Sequence, residues 1–130
     1  MRGVLVALLP LVVACGDSRH GRDAKAMAVV RSELALLKPP AGMAPAEPQV
    51  GLGEMYAEGS QTYCVADVKT GQAAFDAMLR DAGWELLSSE NKPDGTLWRY
   101  GKGQHLGGLT LETAPQPCGR RFRVDVLEPL

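Results

Sequence analysis

Histidine is almost missing from this sequence, and with it goes much of the side-chain chemistry on which metal sites and acid–base catalysis draw. The 130 residues include two, His20 and His105. Neither stands in an HExxH run or at another metal-ligand spacing. Ser60 sits in EGSQ, not in the GxSxG elbow of a hydrolase. GKGQHLGG, residues 101–108, is rich in glycine but lacks the Gly-Lys-Ser/Thr that sets a hydroxyl on magnesium in a phosphate loop. It reads as a turn or irregular loop. Glu54, Glu58, Asp67, Glu85, Glu90, Glu112 and Asp125 are scattered as a solvated surface scatters them. Met27, Met43, Met55 and Met78 with His105 raise copper handling, but Met27 and Met78 fall on expected core faces. The expectation is a protein that is not an enzyme and carries no cofactor or metal.

An excess of either charge is also lacking. Fourteen basic and fifteen acidic side chains leave a net charge of −1, which supplies no field for nucleic acid. No apolar run approaches the 18 or more residues, roughly, of a membrane-spanning helix. One domain with one core suits the length.

What is present begins at the N-terminus. Met1 and Arg2 make a minimal charged start, and Gly3 to Val13 is apolar except at Pro10. As a helix that run spans about 16 Å at 1.5 Å per residue, against a bilayer core of about 30 Å. A short apolar segment after a charged start reads as a signal peptide, residues 1–14. It closes on LVVAC, Leu11 to Cys15, with the small Ala14 directly before the cysteine. This run resembles the lipobox of bacterial lipoproteins. The resemblance implies cleavage before Cys15, lipidation of its thiol by diacylglycerol and acylation of its new amino group. Two or more chains give stable anchoring where one does not. It also implies an extracytoplasmic site. Gly16, where Asp would favour inner-membrane retention, implies the periplasmic face of the outer membrane in a Gram-negative cell. An ordinary secretory signal and a buried N-terminal strand are the alternatives.

With Cys15 given to lipid, Cys64 and Cys118 remain. Outside the cytoplasm disulfides persist, so these two are expected to pair. Two buried thiols or a metal pair are the alternatives.

Residues 15–22 read as a short tether, at most about 25 Å when extended. Residues 23–38 read as a helix capped by Asp23, with Ala26, Met27, Val30, Leu34 and Leu37 on its apolar stripe. Arg31, Glu33 and Lys38 fall on its other sides, and Pro39 and Pro40 end it. The stripe fits packing on this protein's own sheet better than a partner or a membrane. Residues 39–53 carry four prolines and read as an extended, solvated linker.

Residues 54–130 read as the main α+β domain. Met55 to Val68 is the first strand, alternating Thr62, Cys64, Ala66 and Val68 against Tyr63, Val65 and Asp67. Thr70 is placed to cap a helix from Gly71 to about Ala82, buried through Ala74, Phe75, Met78, Leu79 and Ala82. Asp76 and Arg80 pair on its exposed side, and Gly83 turns the chain out. Trp84 to Ser89 and Thr96 to Tyr100 form a hairpin about Lys92-Pro93-Asp94-Gly95. Leu109 to Thr113 is a further strand, Ala114 to Gly119 a loop with Cys118, and Phe122, Val124 and Val126 alternate inward in the last strand. The order predicts an N-terminal helix, then strand–helix–strand and further antiparallel strands, with the helices packed on one face of a single sheet. The run YCVADVKTGQAAFDAMLRDAGWELL resembles a strand–helix–strand pattern of small secreted bacterial domains and implies no chemistry.

Arg99, Arg121 and Arg123 alternate away from the core and, joined by Lys102, form a candidate basic patch for headgroups, an acidic partner or an anionic glycan. A charged face balanced by Glu85, Glu112 and Asp125 is the plainer reading. Trp84, Trp98 and Tyr100 could line a small-ligand pocket, or belong to the core. The functional expectation is a non-catalytic envelope interaction or accessory module, attached to the membrane by lipid and bound to an envelope protein. The alternatives are an inhibitor or immunity protein against a toxin or hydrolase, and a small-ligand binder.

Overall fold

A computed structural model describes the backbone of residues 8–43 and 45–130, with side chains from His20 onward, Ala44 excepted. The expected charged start, Met1 and Arg2, and the Cys15 side chain lie outside the described residues. The fold is α+β. Two helices, α1 (Leu8–Leu36) and α2 (Val68–Asp81), accompany β1 (Gln49–Leu52), β2 (Tyr56–Cys64), β3 (Glu85–Lys92), β4 (Gly95–Lys102), β5 (His105–Thr113) and β6 (Arg120–Pro129). The six strands form one antiparallel sheet in the order β1-β2-β6-β5-β4-β3.

α1 differs from expectation at its start. It runs unbroken through residues 15–22 and past Asp23, so that stretch is helical and Asp23 caps nothing. Pro10 lies within it, and Gly16 and Gly21 weaken a helix without stopping it. The apolar stripe lies where its spacing puts it. Ala26, Val30, Leu34 and Leu37 are buried, with Met27 packed beside them. Val30 and Leu34 reach the sheet at Gly59, where an added β-carbon would meet Val30 Cγ1 at 2.3 Å and Leu34 Cδ1 at 2.9 Å. Glu33, expected on an outer side, is mostly buried and bonds Lys102 Nζ at 2.8 Å.

The proline-rich stretch is not wholly a linker. Gln49–Leu52 pairs with Ala57–Ser60 as an edge strand. Ala46 N donates to Thr62 O at 3.1 Å, and Met43 packs on the core. Pro48 stands just before the strand, where its missing N–H costs nothing.

α2 starts three residues earlier than the sequence suggests, which shortens the first long strand to Cys64. Asp67, not Thr70, is the N-cap: its carboxylate accepts from Lys69 N at 3.0 Å and Thr70 N at 3.3 Å. At the other end Gly83 N donates to Arg80 O and Trp84 N to Leu79 O, with Gly83 at φ +93°. That pair of bonds is a Schellman ending, which needs the left-handed glycine. Trp84 then enters the core and the strand begins at Glu85.

The glycine-rich run is also structured differently. Only Gly103 and Gln104 form a turn; Gly101, Lys102 and His105 to Gly108 belong to β4 and β5. Gly107 is there because Trp84 lies over it, 2.9 Å from where a β-carbon would stand.

The core joins Tyr63, Phe75, Trp84, Tyr100, Leu109, Phe122, Val124 and Val126 with the α1 stripe. Phe75 of α2 packs at 4.9 Å from Tyr63 and 5.0 Å from Phe122, ring to ring. Register places Gly59, Tyr63 and Phe122 on the same side of the sheet. Cys64 at the end of β2 and Cys118 in the loop before β6 form a disulfide, with Cα atoms 5.3 Å apart.

Candidate functional site

The sheet face opposite Tyr63 and Phe122 carries the charged residues that the sequence singled out. β6 alternates Phe122, Val124 and Val126 inward against Arg121, Arg123 and Asp125 outward. Pairing sets Arg121 beside Glu112, Arg123 beside Thr110, and Asp125 beside Gly108 and then Arg99. The three arginines therefore share one face. Lys102 does not join them. It lies three residues from Arg99, an odd step in a strand, so it points to the α1 side and pairs with Glu33.

The arginines are also matched in charge. Glu112 bridges Arg121 Nε at 2.7 Å and Arg123 Nη1 at 3.3 Å. Arg123 Nε donates to Asp125 at 3.1 Å, and Arg99 Nη2 to Glu90 at 3.3 Å. The face is a mixed ionic network rather than a basic patch, with Glu112 and Asp125 as two of its balancing acids and Glu90 in place of Glu85. Burial pushes the Asp125 carboxyl above the usual carboxylate range, with Arg123 opposing the shift. Burial alone would lower Arg123, but Asp125, Glu112 and Glu58 outweigh it and hold the guanidinium charged. Over Gly107 and Gly108 the face dips into a shallow groove of about 260 Å³ flanked by Leu97, Leu127, Arg99 and Arg123.

A second concavity, of about 440 Å³, opens beside the disulfide. Its walls are Met43, Pro45 and Ala46 from the proline-rich stretch, Thr62 to Cys64 of β2, and Ala114, Pro115 and Cys118. Arg121 stands at its border and belongs to both regions. Its volume falls within the range of small-ligand pockets. Nothing in the sequence marked it, because it is made by a linker folding back on a strand end.

The aromatic trio is core. Trp84 and Tyr100 are buried, and Trp98 packs against the same cluster. The Trp84 indole N–H has no hydrogen-bond partner among the described residues. The Tyr100 hydroxyl donates to Asp76 Oδ1 at 2.6 Å and ties β4 to α2. Burial works against the Asp76 carboxylate, but the bonds from Tyr100 and Arg80 outweigh it and keep its pKa low. Burial, and then Asp76, push the Tyr100 hydroxyl far above its usual range.

His20 is exposed, and His105 pairs with Glu128. Among the described residues no three His, Cys, Asp or Glu side chains converge as a metal site would require, and no helix is long and apolar enough to cross a membrane. No protein-family model, curated protein or solved structure matches the chain.

Proposed function

We propose that this chain is an envelope lipoprotein, anchored through lipid on Cys15, whose domain serves as a non-catalytic interaction or accessory module close to the membrane. The observation that carries the reading is how the cysteines divide. Cys64 and Cys118 take each other, and the odd one out stands at the end of LVVAC. A disulfide in a small domain fits an oxidising compartment. With α1 and α2 on one side of the sheet, the opposite face offers Arg99, Arg121, Arg123 and their acids to a protein partner of mixed charge. Such a surface selects by geometry of pairing more than by net attraction.

The test is expression of the full chain in bacteria with an alkyne analogue of palmitate. The wild type takes up label and stays with membranes through a high-salt wash. Cys15→Ser takes up none and is released. Retention of Cys15→Ser in the washed membranes overturns the anchor. Crosslinking and pull-down of the labelled protein then read the module: one stoichiometric envelope partner supports it, and a captured hydrolase or toxin identifies an inhibitor instead.

The cleft beside the disulfide favours a second reading, a small-ligand binder. Its walls, mostly apolar with Thr62 and the Glu112-paired Arg121 at the polar side, suit a compact and mainly apolar ligand.

A further inference from the structure

α1 meets the sheet at one particular end. Arg22 and Asp23 border a shallow cleft with Leu52, Gly53, Glu54 and Leu130. The turn between β1 and β2 and the last residue after β6 therefore gather where α1 arrives from Cys15. Leu130 N donates to Met55 O at 3.0 Å, and Gly53 N to Tyr56 O at 2.8 Å, which fixes this end. Three large apolar side chains are turned outward there. Leu52 is 48% exposed, Leu130 45%, and Met55 70%, the most exposed large hydrophobic among the described residues. One exposed apolar residue needs no explanation. Three beside the entry of α1, with Leu130 and Met55 joined through their backbones, make an apolar lip.

Distance and charge both bear on what covers it. Cys15 and Arg22 are joined by helix, so seven residues separate them by only about 10 Å. A lipid on Cys15 holds this lip against the headgroup layer, since the helix is too short to lift it clear. The neighbouring charges, Arg22 against Asp23 and Glu54, leave one negative charge in excess, so no basic surface draws this end to lipid and apolar contact has to carry the seating.

We infer that Leu52, Met55 and Leu130 form a membrane-seating surface. They enter the headgroup boundary of the leaflet that holds the lipid, and so fix the domain upright instead of letting it swing. The inference rests on the lipoprotein reading. Once the anchor holds the domain at the surface, even weak insertion is populated, because the second contact is intramolecular in effect. Insertion is shallow and apolar, so it is insensitive to salt. β2 leads away from this end for nine residues, about 26 Å at 3.3 Å per step. The disulfide and its cleft thus face the aqueous compartment.

The rate of methionine oxidation tests this with no substitution in the surface. Full-length lipidated protein is reconstituted into phosphatidylcholine vesicles and treated with chloramine-T, a charged oxidant that stays out of the bilayer. Sulfoxide formation is followed by mass spectrometry. The reference is Cys15→Ser protein mixed with the same vesicles. Met55 is expected to oxidise several-fold more slowly in the anchored protein, at low and high salt, while Met43 at the opposite end keeps its rate. Anchored protein that sediments with vesicles but oxidises Met55 at the reference rate overturns the seating surface and leaves the anchor standing. Protection of Met43 instead of Met55 also overturns it. Protein that does not sediment with vesicles overturns the anchor, and the seating surface with it.

Discussion

Val30 of α1 lies directly against the backbone of Gly59 in β2, leaving no room between them for a β-carbon. The helix is seated by an absence of side chain. Gly59→Ala is therefore expected to cost about 1–3 kcal/mol by overpacking. Urea denaturation measures the loss. Val30→Ala in the Gly59→Ala background should recover part of it, because the two sites share one contact. A fully additive double variant would mean that the helix does not bear on this glycine.

The disulfide closes a loop between positions 54 residues apart. In the chain-entropy model that constraint is worth about 4 kcal/mol, less any strain. Cys64→Ala with Cys118→Ala is expected to lower stability by about 2–4 kcal/mol. Added reductant should bring the wild type down to the same denaturation midpoint and leave the double variant unmoved.

Tyr100 and Asp76 make stability depend on pH from two sides. The Asp76 pKa is depressed in the fold. Its contribution is complete above the ordinary carboxylate value of about 4 and is lost as pH falls through the lower folded value. The Tyr100 pKa is raised in the fold. Its contribution is complete below about pH 10 and fades as pH rises above that toward the folded value. Tyr100→Phe should cost about 1 kcal/mol at neutral pH and lose less than the wild type above pH 10. Chemical denaturation across the pH range gives both limbs.

Asp125 is raised by burial and restrained by Arg123. Removing the guanidinium leaves the burial unopposed. Arg123→Met is expected to move the Asp125 carboxyl further up, followed by carbon-detected NMR titration. A downward movement would show that the pair is solvated and that Arg123 does not govern it.

The sequence told most where one pattern ran long enough to repeat. The α1 stripe from Ala26 to Leu37 and the alternation Phe122, Val124, Val126 each carry several turns or steps of one period, and both lie buried as spaced. Residues that act by lacking a side chain were illegible. Gly107 looks like loop in a string of glycines, yet it is a strand position under Trp84. Asp67 reads as a strand residue because Thr70 also fits a cap; only the direction of its carboxylate decides. β1 was hidden by the prolines before it, since QVGL is too short to show a period. Of the candidate patch, parity placed the three arginines correctly. The same parity, applied to Lys102, assigns it to the other face. The cleft beside the disulfide had no local signature, because its walls come from three distant segments.

The link between Cys64 and Cys118 also changes what a protease can do to this protein. It makes a covalent ring of the chain from one cysteine to the other, and within that ring lie α2, the turn at Pro93 and Asp94, and the turn at Gly103 and Gln104. A single cut at either turn severs the backbone but releases nothing. Both pieces stay joined through sulfur, and the strands they contribute remain paired across the sheet. A nicked molecule on a non-reducing gel should migrate as one chain and fall into two only with reductant. A cut at either of these two turns thus leaves the pieces of the domain covalently joined.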